Sequence, residues 1–309
     1  MLAIVAPGQG SQKPGMLIPW LALPGLDQLL TAFSDAAELD LSALGTTAGA
    51  DEIKDTAVTQ PLVVAAALFA AAQLDLPADV VVAGHSVGEL AAAAVAGVLS
   101  PVDAVRLAGV RGRAMAAACA MTPTSMAAVM GGDRDAVLVA LDGLDLVGAN
   151  VNGAGQIVAA GSAEAIAALA ATPPTGARVI PLPVAGAFHT RYMAPAEDEL
   201  RGLVTDLEPT DPTRTLLTNA TGAAVASGTE YLNLLVAQVT RPVRWDLCMA
   251  TFAALGVTGV LELPPAGTLV GLVKRELKGT ATMALKSPDD LDQAASFIAE
   301  HAAVATAAR

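Results

Sequence analysis

A serine flanked by glycines, in the stretch VVVAGHSVGEL, has the setting in this sequence that most clearly favours nucleophilic chemistry. Gly84 and Gly88 stand two positions before and after Ser86, and a run of valines comes first. This spacing is typical of a buried strand that turns sharply into a helix and lifts the serine hydroxyl out of the sheet. The pattern therefore predicts that Ser86 is a nucleophile.

A serine hydroxyl is a weak nucleophile and needs a base within hydrogen-bonding distance. The sequence contains three histidines. His85 adjoins Ser86 on the turn, where neighbouring side chains point in different directions, and His301 is expected to be solvated in a C-terminal helix. By elimination, the predicted base is His189, which stands at a Gly-Ala-Phe-His bend.

Hydrolases with such a turn usually carry an acidic residue between the serine and the histidine in chain order. Asp133, Asp135 and Asp145 lie in that interval, but none is placed convincingly for the task. A backbone carbonyl is the alternative group that would orient the imidazole. This alternative weakens the interpretation of the chain as a lipase-like hydrolase.

One arginine falls on the apolar side of a predicted helix. At 3.6 residues per turn, Arg111 shares a face with alanine, leucine and methionine residues, whereas Arg106 and Arg113 lie on other faces. A buried guanidinium is costly unless it meets an anion. The partner is either a structural carboxylate of the chain or a substrate carboxylate, which arginine binds with two parallel hydrogen bonds.

The segments around these residues alternate between short valine-rich strands and alanine-rich helices, which favours an α/β sheet. We predict strands at 2–6 and 80–84, and helices at 61–73 and 89–98. A further helix is expected to begin at Ser100-Pro101, with serine as the N-cap, and to continue to about Ala118. The alanine-rich helix from Ala294 onwards is expected to fray at its end.

Between these parts of the sheet, the order β-α-β-β-α-β predicts an inserted ferredoxin-like unit. We expect the insertion to span 124–187 and the large subdomain to comprise 1–123 and 188–309. Its central hairpin is predicted to turn at Asn152-Gly153. Asn150 and Asn152 are explained either by that turn or by contact with a substrate.

Composition narrows the class of protein. Of the 309 residues, 54% are hydrophobic, yet no apolar run approaches the roughly 20 residues that span a bilayer, so a cytoplasmic enzyme is expected. The net charge of −13 argues against nucleic acid as a partner. Cys119 and Cys248 lack a paired metal-ligand spacing, so we expect free thiols and no metal site.

Seven segments, taken in order, resemble the malonyl-CoA:acyl carrier protein transacylases of bacterial fatty acid synthesis and the related acyltransferase domains of polyketide synthases. The likeness runs nearly from end to end. The segments are PGQGSQ (7–12), TQP (59–61), GHSVGE (84–89), VRLAGVRG (105–112), NVNGAGQIVAAG (150–161), GAFHTRYM (186–193) and RPVRW (241–245).

The resemblance implies an α/β-hydrolase-like large subdomain with an inserted ferredoxin-like small subdomain. It implies that Ser86 carries the acyl ester, that His189 acts as general base and then acid, and that Arg111 binds the malonyl carboxylate. The backbone N–H groups of Gln9 and Val87 would form the oxyanion hole.

Three further site residues are implied in the same way. Gln60 would line the site, and the carbonyl of Gln238 would hold the histidine. Phe188 would crowd a branched α-carbon, which favours malonyl over methylmalonyl groups. Pro264 stands where the family often has glycine, so the shape of that turn is not carried over.

Malonyl-CoA and an acyl carrier protein are the implied partners, with no bound cofactor and with a monomeric enzyme. Carrier proteins are acidic, so docking on this acidic chain would need a local basic patch. The candidate residues are Arg191, Arg241, Arg244, Lys274 and Arg275.

Two other functions remain open at this stage. A hydrolase or thioesterase would use the same serine turn but would be indifferent to loss of Arg111. A non-catalytic docking subunit would keep the fold and form no acyl ester.

Overall fold

The computed structural model describes residues 1–307 of the chain, and strands and helices alternate along them as predicted. The strands are β1 (Leu2–Ala6), β2 (Val81–Gly84), β3 (Thr124–Gly131), β4 (Val147–Gly153), β5 (Gln156–Ser162), β6 (Ala177–Pro181), β7 (Thr215–Leu217), β8 (Ala224–Val225), β9 (Val243–Arg244), β10 (Gly259–Glu262) and β11 (Ala281–Ala284).

The helices connect these strands. They are α1 (Leu26–Ala37), α2 (Leu41–Thr46), α3 (Thr56–Ala71), α4 (Gly88–Val95), α5 (Pro101–Met121), α6 (Arg134–Asp142), α7 (Ala163–Ala171), α8 (Ala194–Val204), α9 (Gly228–Ala237), α10 (Trp245–Ala254), α11 (Thr268–Glu276) and α12 (Leu291–Ala307).

The larger sheet has the strand order β11-β10-β1-β2-β7-β8, and its strands are parallel except at the β7–β8 pair. Helices cover both of its faces, so its central strands are apolar on both sides. In β1, Ile4 packs into the core that α3, α4 and α5 help to form, whereas Val5 packs on the opposite side with residues of α10 and α11. This alternation follows from the two-residue period of a strand. The carboxyl ends of the parallel strands lie together, which is where such sheets bind ligands.

The smaller sheet has the order β6-β3-β5-β4-β9. Its first four strands are the fourth, first, third and second strands of the β-α-β-β-α-β unit, and α6 and α7 pack in a separate core with them. The ferredoxin-like fold of the insertion is confirmed. The fifth strand, β9, comes from the chain beyond the insertion and pairs parallel to β4. The proposed boundaries at 124 and 187 enclose all of this sheet except β9.

Capping side chains mark the starts of several helices. Ser100 accepts a hydrogen bond from the backbone N–H of Asp103 and caps α5, as predicted. Helix α3 begins at Thr56, earlier than the predicted residue 61, because the carboxylate of Asp55 caps it by accepting from the N–H of Ala57. Pro61 therefore lies inside the helix rather than at its start.

Two further predictions were wrong. The β4–β5 hairpin turns at Ala154 and Gly155, which both have positive φ, so Asn152 and Gly153 remain within β4. His301 is only 6% exposed: its Nδ1 lies 2.9 Å from the hydroxyl of Thr258, and its ring occupies the space that a side chain at Gly259 would fill. Any fraying beyond residue 307 lies outside the described residues.

Across residues 1–307, no helix combines the length and the apolar character needed to cross a membrane.

Candidate active site

The turn between β2 and α4 holds Ser86 in a backbone conformation with φ of +54°. A Cβ atom at Gly84 would lie 2.1 Å from the backbone of Gly88, and one at Gly88 would lie 2.3 Å from the carbonyl oxygen of Ala6. Both distances are far below contact distance, so only glycine fits at either position. The spacing of glycines around Ser86 thus reflects a tight packing of strand, turn and helix.

We expect Gly88→Ala to lower the free energy of unfolding by at least about 2 kcal/mol, because the added methyl group collides with backbone that has no free space to move into. Chemical denaturation measures the change. The matched control is Gly49→Ala, since a Cβ there meets no atom within 4 Å and the residue is exposed. Equal stability of the two variants would contradict the packing argument.

The hydroxyl of Ser86 lies 2.7 Å from Nε2 of His189, a residue 103 positions later in the chain. Nδ1 of the same imidazole lies 2.8 Å from the carbonyl oxygen of Gln238. Because a carbonyl only accepts hydrogen bonds, Nδ1 carries the proton and Nε2 is free to accept from the serine hydroxyl. His189 is 3% exposed and, like Ser86, has a positive φ, here +60°.

None of the three aspartates considered from the sequence orients the imidazole of His189. Asp133 caps α6 by accepting from the N–H of Ala136, Asp135 is exposed in the first turn of that helix, and Asp145 is held by both terminal nitrogens of Arg191. The group that orients the imidazole is therefore the backbone carbonyl of Gln238.

Burial, reinforced by the nearby charge of Arg111, lowers the pKa of His189 from 6.5 to about 3. The imidazole therefore stays neutral, and able to accept a proton, as the pH falls through 6.5. We expect the acylation rate to show no acid-side inflection at the ordinary histidine pKa when stopped-flow release of CoA is followed from about pH 5 to 8. In the Arg111→Ala variant, assayed with acetyl-CoA, the pKa of His189 should rise towards 6.5 because the nearby positive charge is gone. The acid-side inflection of the acylation rate should rise with it. A wild-type inflection at 6.5 would contradict the lowered pKa.

Arg111 is 1% exposed, and its hydrogen-bond acceptors are all uncharged. Nη1 donates to Oε1 of Gln60 at 2.7 Å, and Nη2 donates to Oε1 of Gln238 at 2.9 Å and to the hydroxyl of Ser86 at 3.3 Å. Burial lowers its pKa to about 10, so the guanidinium remains protonated at neutral pH. Its positive charge is thus not neutralised by a directly bonded carboxylate.

The other two arginines of α5 behave as the helical period predicts. Arg106 bonds Asp103 and Arg113 bonds Glu38, with both arginine side chains more than a third exposed. The contrast within one helix makes the burial of Arg111 a specific feature of the site.

These groups border a cavity of about 480 Å³ between the large sheet and the small one. Its wall includes Gln9, Ser86 and Val87, and Gln60 and Phe188 also line it. The small sheet contributes further lining residues, Asn150, Asn152, Gln156 and Val158. Every residue implied by the resemblance as lying in the site therefore borders the cavity, except Gln238, which lies behind Arg111 and His189.

The two asparagines belong to the cavity wall rather than to the hairpin turn. Oδ1 of Asn152 lies 2.9 Å from Nε2 of His85, so a hydrogen bond joins β4 of the small sheet to the turn that carries Ser86. Burial lowers the pKa of His85, which keeps its ring neutral in this contact.

Three groups in the site were not found from the sequence. Asn219 holds the turn from Gly84 to Gly88, which we call the elbow, at two points. Its Oδ1 accepts from the N–H of Ser86 at 2.8 Å, and its Nδ2 donates to the carbonyl of Gly84 at 2.7 Å. The side chain of Gln238 and the carboxyl of Glu89 complete the same cluster. Glu89 lies within the GHSVGE segment, but nothing local distinguishes Asn219 from other asparagines of the chain.

The fold and the site define an α/β protein whose cavity holds a serine hydroxyl hydrogen-bonded to a histidine, with a buried cation beside it. The chain belongs to the acyl transferase domain family, whose model matches residues 4–305. It is 55% identical over 302 residues to the malonyl CoA-acyl carrier protein transacylase of Mycobacterium tuberculosis (strain ATCC 25618 / H37Rv), a match that covers 96% of this chain and 100% of that protein.

Solved structures agree with this assignment. A crystal structure of MCAT from Mycobacterium tuberculosis superposes with a TM-score of 0.92 at 55% identity and covers 95% of this chain and 99% of that one. A second structure holds a type II PKS acyl-carrier protein in complex with its malonyl-transacylase; it gives a TM-score of 0.88 at 31% identity, with 96% and 99% coverage. The family and the fold class expected from the sequence are confirmed.

Proposed function

We propose that this enzyme transfers a malonyl group from malonyl-CoA to the phosphopantetheine thiol of an acyl carrier protein, through an acyl ester on Ser86. One observation carries the proposal: the hydroxyl of Ser86 lies 2.7 Å from Nε2 of His189 and 3.3 Å from Nη2 of Arg111, in the wall of one cavity. The serine hydroxyl therefore contacts both a base that can take its proton and a cation that can bind a carboxylate.

In the acylation step, Nε2 of His189 takes the hydroxyl proton while Oγ of Ser86 attacks the thioester carbonyl of malonyl-CoA. The backbone N–H groups of Gln9 and Val87 would hold the oxyanion of the tetrahedral intermediate. When the intermediate collapses, the imidazolium returns the proton to the sulfur of CoA, which leaves as a thiol. The carbonyl of Gln238 keeps the ring oriented throughout.

Arg111 makes the enzyme selective for acyl groups that carry a carboxylate. Only one methylene separates the malonyl carboxylate from the acyl carbonyl, so the cation that binds it must lie close to the ester oxygen, as Nη2 does. A guanidinium binds a carboxylate through two N–H groups, and its charge is worth more in a cavity from which water is excluded. Gln60 holds the guanidinium from the other side, and Phe188 would oppose a branch on the α-carbon.

The second half-reaction reverses the first. CoA departs, the phosphopantetheine thiol of the carrier protein enters, and His189 takes its proton as the sulfur attacks the ester carbonyl on Ser86. The bond between the acyl carbon and Oγ then breaks, and the imidazolium returns the proton to Oγ. The product supplies extender units for fatty acid or polyketide synthesis. A cytoplasmic location, a monomeric state and the absence of a cofactor stay predictions.

Detection of the acyl-enzyme tests the proposal most directly. After brief mixing with malonyl-CoA and no carrier protein, intact-mass spectrometry should show one malonyl group per chain, and peptide mapping should place it on Ser86. A thioesterase would release malonate without accumulating the ester, and a docking subunit would gain no mass. Either result would overturn the proposal.

The carrier-protein surface is proposed to include the five basic residues named above. Two of them have partners within the chain, because Arg191 bonds Asp145 and Arg244 bonds Asp246. Arg241, Lys274 and Arg275 are exposed and are the better candidates for contact with an acidic protein.

Charge reversal tests this surface. We expect the pair Arg241→Glu and Lys274→Glu to raise the KM for carrier protein about tenfold and to leave the KM for malonyl-CoA unchanged, because like charges would then face each other at the docking surface. Arg178→Glu, a charge reversal of the same kind at a single exposed residue outside the patch, is the control. An unchanged KM for carrier protein in the double variant would remove the patch from the proposal.

A further inference from the structure

Glu89 is a buried carboxyl that the mechanism above does not use. It lies in the first turn of α4, is 1% exposed and is not part of the cavity wall. The backbone N–H of Asn219 donates to one of its oxygens at 2.6 Å, and Nε2 of Gln238 donates to the other. Glu89 can therefore influence the site only through the groups that it binds.

The partners of Gln238 allow only one orientation of its side-chain amide. Nε2 faces acceptors: Glu89, the carbonyl of Ser86 at 3.1 Å and Oδ1 of Asn219 at 3.2 Å. Oε1 faces a group that can only donate, Nη2 of Arg111 at 2.9 Å. A reversed amide would place two donors against each other beside Arg111.

We propose that Glu89 is a positioning residue that holds the amide of Gln238 with its oxygen towards Arg111, and that it thereby sets the preference of the enzyme for acyl groups that carry a carboxylate. The inference rests on the proposed binding of the malonyl carboxylate by Arg111. It adds a residue that controls this selection without touching the substrate.

A carboxyl group suits this position for two reasons. An ionised carboxyl accepts hydrogen bonds at both oxygens and donates none, which suits the N–H of Asn219 and the Nε2 of Gln238. Burial also raises the pKa of Glu89 to about 8, which weakens its negative charge near Arg111. It orients Gln238 while leaving the charge of Arg111 available for an anion in the cavity.

The substitution Glu89→Gln tests whether the hydrogen bond that Glu89 accepts from Nε2 of Gln238 is needed. The new amide nitrogen accepts no hydrogen bond, so it either faces the N–H of Asn219 or forces the amide of Gln238 to turn its nitrogen towards Arg111. In the second case malonyl binding is impaired, whereas reaction with a neutral acyl group is spared because it does not depend on a contact between Arg111 and a carboxylate. We expect the ratio of kcat/KM for malonyl-CoA to that for acetyl-CoA to fall by at least about tenfold.

Glu262→Gln is the matched control. Glu262 is also fully buried, and its carboxyl accepts from the backbone N–H groups of Gly267, Leu269 and Val270 at 2.9–3.0 Å. This variant should lose thermal stability and keep the wild-type ratio. An equal loss with malonyl-CoA and acetyl-CoA in Glu89→Gln would overturn the proposal, because it would mean a general effect on the elbow through Asn219.

A double-variant cycle tests whether Glu89 acts through Gln238. Gln238→Met removes the amide and keeps the backbone carbonyl that holds His189, so we expect the malonyl-to-acetyl ratio to fall in this variant too. Adding Glu89→Gln to it should cause no further fall, since the group that Glu89 orients is already absent. Independent, additive losses, or a wild-type ratio in Gln238→Met, would overturn the proposal.

The same assay separates this inference from the proposed function. A wild-type enzyme that shows no preference for malonyl-CoA over acetyl-CoA would contradict the role of Arg111 itself. A wild-type enzyme that prefers malonyl-CoA, together with a Glu89→Gln variant that keeps the preference, would contradict only the role of Glu89.

Discussion

Ser86→Ala is expected to lower malonyl transfer to carrier protein by about 10⁴-fold or more, because the acyl group then has no oxygen to which it can be esterified. Binding of malonyl-CoA should persist, since Arg111, Gln60 and the cavity remain. Transfer is measured as malonyl-carrier protein formed, and the acyl-enzyme by intact mass, which should show no adduct.

Ser42→Ala is the control for this experiment. Ser42 lies in the short helix α2 and is exposed, so its hydroxyl can be removed without touching the site. Wild-type rates are expected. A malonyl adduct that survived in Ser86→Ala would place the acyl group on another residue and would refute the assignment of the nucleophile.

Arg111→Ala is expected to lower kcat/KM for malonyl-CoA by about 10²–10³-fold, which corresponds to the loss of one buried charge-assisted contact. Transfer from acetyl-CoA should fall far less and is expected to exceed malonyl transfer in the variant. The physical reason is that the malonyl carboxylate, like the guanidinium, is shielded from water in the cavity. Without its counter-charge the carboxylate loses its hydration and gains no partner.

Arg113→Ala provides the matched comparison on the same helix. Arg113 is partly exposed and bonds Glu38 and the carbonyl of Ala37, away from Ser86. It should leave the preference for malonyl-CoA unchanged. If Arg111→Ala lowered neither rate, a neutral-substrate esterase would become the better description of the chain. Equal losses with both thioesters would contradict the role of Arg111 in selecting the carboxylate.

In the proposed mechanism, the serine enzyme works without the usual acid. A carbonyl oxygen of the backbone holds Nδ1 of His189, and the imidazole pKa is far below its ordinary value. The ring is therefore a weak but permanently available base at neutral pH. A carboxylate in the place of this carbonyl would raise that pKa and would also compete with substrate for the charge of Arg111.

Part of this site could be predicted from the sequence because it depends on interactions between residues that are close along the chain. Gly84 and Gly88 mark the elbow because side chains there would collide with backbone atoms. Gly84 lies against the backbone of Gly88, and Gly88 lies against the backbone at the end of β1. The burial of Arg111 follows from helical period alone. His189 could be chosen by elimination, because the chain offers few imidazoles.

Other features were beyond the sequence because they join residues that are distant along the chain. Asn219 and Gln238 come more than 130 positions after the elbow that they support. The hydrogen bond between His85 and Asn152 exists only because the small sheet packs against the large one. The hairpin turn was misplaced by local reasoning, since asparagine-glycine is a turn signal whether or not a cavity recruits the asparagine.

The amino-acid order alone thus specified the elbow, the buried arginine and the succession of strands and helices, all of which depend on neighbours within a few turns or on backbone sterics. Tertiary packing decided which acceptors surround Arg111, what orients His189 and how Glu89 enters the cluster. Hydrogen bonds are directional and short, so a shift of about 1 Å between packed elements makes or breaks them, and no local pattern encodes that distance.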